Sequence, residues 1–106
     1  THLTFGDKFD KPVDNLPEGI THLTFGCYFN RKFSSLPQSI TYLEFGWKFN
    51  RSVDNLPSGI THLVFGDKFN QKVDNLPKSI THLTLGRGHR RPINNIPKSV
   101  TITLVS

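Results

Sequence analysis

The chain has 106 residues, a formal charge of +5 at neutral pH and one cysteine. That length holds a single domain and buries a limited fraction of its surface, while the lone Cys27 excludes an intramolecular disulfide framework and fits a reducing compartment. No apolar run reaches membrane-spanning length and no signal peptide is visible, so a membrane partner is not expected.

Read from the first residue, the sequence repeats itself every 20 positions without insertion or deletion. Thr1-His2-Leu3-Thr4-Phe5-Gly6 returns at Thr21, Thr41, Thr61 and Thr81, and a sixth copy opens at Thr101 and stops at Ser106. A fixed period of this length marks a solenoid whose units stack because none can bury its apolar face alone. The single domain 1–106 therefore divides into coils 1–20, 21–40, 41–60, 61–80 and 81–100, with a partial coil 101–106. The pattern opens and closes mid-copy, which suggests a piece of a longer protein.

Each coil begins with a strand. Ile40, Leu43 and Phe45 have the spacing L-x-x-L-x-L, the strand signature of leucine-rich repeats. Alternation sends Leu43 and Phe45 to one face and Tyr42 and Glu44 to the other. The glycine at position six is expected to end the strand, where, with no Cβ, it can take positive φ. A Phe follows at Phe9, Phe29, Phe49 and Phe69; Val13, Phe33, Val53, Val73 and Ile93, then Leu16, Leu36, Leu56, Leu76 and Ile96, complete the inward rows. Pro17, Pro37, Pro57, Pro77 and Pro97 forbid a long helix on the return path. Strands stack about 4.8 Å apart, whereas helices need about 8–10 Å. A helix-free coil therefore predicts a nearly straight rod.

Registered stacking predicts ladders of like residues. The Phe rows form an aromatic spine. Asn30, Asn50 and Asn70 form one polar row, and Asn15, Asn55, Asn75 and Asn95 another, each able to bond the backbone of a neighbouring coil. The outward histidines His2, His22, His62 and His82, with Tyr42 among them, form a row whose side chains diverge. Zinc needs three or four converging ligands, so ring packing is expected rather than a metal.

The strand, Gly, Phe-Asn and Leu-Pro elements together resemble the FNIP repeat, a leucine-rich-repeat variant of social amoebae and giant viruses. Phe29-Asn30, Phe49-Asn50 and Phe69-Asn70 carry the motif, each followed by a Leu-Pro step. The resemblance implies an interaction surface. In some members the repeats follow an F-box; no F-box-like segment exists here, so that role is not carried over. Asp10 replaces Asn in the first copy, Leu85, His89 and Arg90 depart in the fifth, and Thr103 stands where Leu is expected. Atypical terminal copies suit capping.

The fold expected is all-β: a right-handed leucine-rich-repeat solenoid, nearly straight and β-helix-like, with parallel strands stacked in register and no long helices. The function expected is recognition of an as yet unidentified protein through the strand face. Tyr42, Glu44 and Trp47 are its central candidates, flanked by Tyr28, His62 and Asp67, because Trp and Tyr dominate binding hot spots and position seven varies within a regular scaffold. Two alternatives have their own residues. Lys11, Arg31, Arg51 and Arg91 make a basic edge open to a polyanion or nucleic acid, with Asp14, Asp54 and Asp74 nearby to offset it and no nucleic-acid motif in the chain. Open strand edges at both termini allow a structural spacer that self-associates end to end. No Gly-rich phosphate loop, metal-binding Cys/His cluster or acid pair stands out, and every candidate nucleophile is explained by the period. The chain is therefore read as non-enzymatic and without cofactor, and its location as intracellular, in the cytoplasm of the host cell.

Overall fold

The computed structural model describes residues 1–33, 35–53, 55–73, 75–91, 93, 96 and 99–105. Among these there is no helix. The regular elements are β1 (His2–Thr4), β2 (His22–Thr24), β3 (Tyr42–Glu44), β4 (His62–Val64), β5 (His82–Leu85) and β6 (Thr101–Leu104). They form one six-stranded sheet in the order β1-β2-β3-β4-β5-β6, and every neighbouring pair is parallel. Each coil contributes one strand and closes on itself before the next begins, which is the solenoid that the period predicts.

Two tight turns bend each coil. The Phe9 N–H donates to the Gly6 carbonyl at 3.2 Å, and Phe69 to Gly66 at 3.3 Å. Ile40 donates to the Pro37 carbonyl at 3.3 Å, Ile60 to Pro57 at 3.4 Å and Ile80 to Pro77 at 3.3 Å. The Leu-Pro step thus opens a turn that delivers the chain to the next strand. Among the described residues the backbone between the turns is neither helix nor strand and takes the place of the helix of a wider repeat.

The core fills the tube. Leu23, Leu43, Leu63 and Leu83 are fully enclosed on the strands, as are Phe29, Phe49 and Phe69 beyond the first turn. Inside one coil, the Phe25 and Phe29 rings stack at 4.0 Å, and Phe45 and Phe49 at 3.9 Å. Between coils, Phe25 to Phe45 and Phe45 to Phe65 are 5.5 Å apart with planes tilted by 8° and 4°. Successive rings of this column therefore lie nearly parallel. His89 replaces Phe at the end of the spine, yet its ring still lies 5.7 Å from Phe69 and within 8° of parallel.

Two expectations need correction. The position-six glycines do not have positive φ; the positive-φ glycine is Gly19, at 102°. Position six excludes a side chain because coils meet there: a Cβ on Gly26, Gly46 or Gly66 would run into the backbone of the glycine one coil earlier. The sixth copy is also not in strict register. His82 pairs with Thr101 and Leu83 with Ile102, an offset of 19 residues where the other strands keep 20. The one-residue slip resolves Thr103, which faces the same way as Thr84, and it turns Ile102 and Leu104 inward with Leu83 and Leu85. Ile102, Leu104 and Val105 are exposed.

Candidate functional site

The outward side of the sheet begins with a threonine ladder at position one. The hydroxyls of Thr21, Thr41, Thr61 and Thr81 donate to the carbonyls of Thr1, Thr21, Thr41 and Thr61 at 3.2, 3.3, 3.1 and 3.2 Å. With its hydrogen committed, each hydroxyl oxygen can accept from the adjacent ring. Thr21 lies 3.0 Å from His22 Nδ1, and Thr61 and Thr81 lie 2.9 Å from His62 and His82 Nδ1. These contacts hold the rings of His22, His62 and His82 standing off the sheet, with the donor set by the tautomer. Their rings form one row: His2 to His22 at 4.0 Å, His22 to Tyr42 at 5.5 Å, Tyr42 to His62 at 6.1 Å and His62 to His82 at 4.3 Å. Tyr42 continues this row; it does not break it. Parallel rings do not converge, and among the described residues no group of three His, Cys, Asp or Glu could hold a metal. His22 has its pKa lowered by partial desolvation, then by repulsion from His2, the N-terminus and His62.

Tyr42 and Glu44 are two residues apart on β3, so they share the outer face. The Tyr42 hydroxyl donates to Glu44 Oε1 at 2.6 Å. This bond, with burial and the Glu44 charge, pushes the phenol up to about 12. Tyr42 is thus a fixed neutral donor, unsuited to proton abstraction at neutral pH.

The remaining strand-face candidates gather at the first turn. Its backbone is stacked: the N–H groups of Tyr28, Lys48 and Lys68 donate to the carbonyls of Asp7, Cys27 and Trp47 at 2.9, 3.0 and 3.1 Å. Trp47 projects from this corner and remains 44% exposed. The Lys68 ammonium sits 4.9 Å above its ring, and the Lys48 ammonium 4.5 Å above the Tyr28 ring. Asp67 accepts from the Arg87 backbone N–H at 3.2 Å and from its guanidinium at 3.3 Å. Those contacts, joined by the Trp47 indole, hold the Asp67 carboxyl below the usual carboxylate range. Half of the surface is therefore a polar pair on a strand, and half an aromatic–cation cluster on a turn. The placement of Lys48 and Lys68, both at position eight, over aromatic rings one coil back needed three dimensions.

The basic edge lies at another corner. Arg31, Arg51 and Arg91 each turn Nε onto the position-ten carbonyl of the preceding coil, at 3.0, 3.2 and 2.9 Å. Arg31 also pairs with Asp10 at 3.3 Å, and Lys11 is exposed. Asp54 and Asp74, expected to offset this edge, and Asn95 and Pro97 lie outside the described residues. The bonded asparagine row is that of position ten; Asn15, Asn55 and Asn75 are exposed.

The chain matches the model of the FNIP Repeat over residues 1–28, 12–48, 29–55, 49–88 and 72–102. Among solved structures it is similar to CroV588, a giant-virus protein described as a novel circular LRR protein structure, with 47% identity and a TM-score of 0.86. The similarity covers 96% of this chain and 17% of that one. No curated protein matches. Continuous family matches, a parallel strand for each copy and the stacked Phe-Asn columns agree, and the chain belongs to the FNIP repeat family.

Proposed function

We propose that this stack of repeats works as a rigid scaffold that recognises a protein through the strand face and its first turn. The observation that carries the reading is Trp47. A side chain of this size normally gains by burial, yet here it stands outside a filled core, pinned by Lys68 and Asp67 on a backbone hydrogen-bonded between coils. A large aromatic held in one place loses little freedom on binding, which is what preorganisation contributes to affinity. Tyr42 and Glu44 add an oriented donor–acceptor pair. Lys48 and Lys68 beside the aromatics favour a partner surface that is apolar at its centre and acidic at its rim.

The decisive experiment is paired affinity capture from a lysate of the source organism. Wild type is compared with Trp47→Ala and with Arg31→Gln/Arg51→Gln. A protein retained by wild type and by the arginine variant, but weakened at least about tenfold by Trp47→Ala as for a hot-spot residue, supports the reading. Equal retention by Trp47→Ala overturns it.

A further inference from the structure

The position-eleven corner contains a device that strand-face recognition leaves unused. The Nε–H of Arg31, Arg51 and Arg91 is spent on a backbone carbonyl one coil back, with the same partner position each time. Those carbonyls belong to Asp10, Asn30 and Asn70, whose side-chain oxygens accept the backbone N–H of Asn30, Asn50 and Arg90 at 3.0, 2.9 and 3.0 Å. The root of each guanidinium is thus fixed by two ladders at once, and among the described residues its terminal amino groups make no hydrogen bond, while Arg31 keeps its ion pair with Asp10. Gln71 fills the fourth place with Nε2 on the Asn50 carbonyl at 3.3 Å, keeping the bond without the charge. Arg31 and Arg51 are one coil apart, about 4.8 Å, and Arg91 follows two coils later, about 10 Å further. Lys11, Lys32, Lys72 and Arg90 are exposed on the same stretch of the coils. A groove of about 180 Å³, lined by Lys32, Phe33, Ser52 and Asn55, opens beside the Arg31 and Arg51 rungs.

We propose that this ladder binds the phosphate backbone of double-stranded nucleic acid. A guanidinium meets a phosphate with two parallel N–H bonds, and a duplex carries one charge for each ~1.7 Å of its axis. Identical rungs at a fixed spacing can position a backbone but cannot distinguish bases. Positions ten to twelve carry no aromatic residue, so the corner lacks the stacking platform that single strands require. Binding is accordingly independent of sequence and steeply dependent on salt.

The measurement is fluorescence anisotropy of a labelled duplex of mixed sequence between about 50 and 200 mM salt, where each phosphate neutralised contributes about −0.9 to the slope of log K against log salt. Arg31→Gln/Arg51→Gln copies the rung that Gln71 already forms, so it removes charge while keeping the ladder, as an unchanged melting temperature verifies. That variant flattens the slope by about 2, and Gln71→Arg, which completes the row, steepens it by about 1. Trp47→Ala leaves both affinity and slope unchanged. No binding at the lower salt, slopes indifferent to these changes, or tighter binding of a single strand or a sulfated glycan than of the duplex would overturn the proposal.

Discussion

Single residues carry the stack at two places. At position six the coils approach so closely that a Cβ on Gly46 would meet the Gly26 carbonyl. Gly46→Ala forces the backbones apart, and overpacking of this kind costs about 1–3 kcal/mol. Gly59 has open space around the equivalent atom and no positive φ, so Gly59→Ala leaves stability unchanged or raises it by about 0.4–1 kcal/mol. Urea unfolding of both variants tests the contrast, and equal midpoints would refute it. The histidine row is the second place. Because His22 has a folded-state pKa below its unfolded value of about 6.5, the unfolded chain binds more protons near that pH. The contribution is complete above that value and is lost as pH falls through the lower folded-state pKa. Asp67 shifts in the same direction, but its contribution is lost only below about pH 4, outside this window. The melting temperature should therefore be lower at about pH 5 than at about pH 7.5, with a smaller difference in His22→Gln. A melting temperature flat across that range, or a difference unaltered by the substitution, would contradict this.

At the scale of one coil, the working element is the ladder rung. Asn50 Oδ1 accepts the Asn70 N–H at 2.8 Å and Gln71 Nε2 at 3.0 Å. Asn50→Ala leaves a turn N–H without its partner, a loss of about 1–3 kcal/mol where water does not replace it. Asn50→Asp keeps the acceptor, as Asp10 does in the first coil, and should recover most of the stability in the same thermal melts; equal loss in both variants would show that the rung is not the cause. This rung was legible in the sequence because its residues recur in phase: strands, inward rows and the Phe-Asn column follow from the period and from alternation. The staples at position 19 were less visible. Ser39 donates to the Ile20 carbonyl at 2.7 Å while accepting the Gly19 N–H at 3.0 Å, and Ser79 donates to the Ile60 carbonyl at 2.6 Å. Their only signal is that Gly and Ser share that position. Contacts that run diagonally between unlike columns, such as Lys68 over Trp47, leave no periodic trace at all. For that reason the candidate recognition residues could be named from the sequence while their grouping into a strand pair and a turn cluster could not.

Across the whole stack, what differs from coil to coil is how well each is covered. Leu43 and Leu63 have a coil on both sides and are fully enclosed, whereas Leu104 is 65% exposed and Leu3 and Phe5 are only partly buried. In a stack stabilised between neighbours, the outermost coils open first. In the isolated 106-residue chain β1 and β6 each present an unpaired parallel edge, and such edges accept further strands. The two edges are compatible: β1 of a second copy laid on β6 sets Leu3 over Ile102 and Phe5 over Leu104, continuing the inward rows in the slipped register of β6. The isolated 106-residue chain is therefore expected to associate end to end, with a weight-average mass that rises above 12.0 kDa as concentration increases. Leu104→Lys places a charge where the next Phe row would sit and should restore the monomer mass, while hydrogen exchange in β3 and β4 stays as slow as in wild type. A mass of 12.0 kDa at every concentration would mean that the ends remain solvated. Association that persists in Leu104→Lys would place the contact on a side of the stack, where Trp47 is the exposed apolar group to test next.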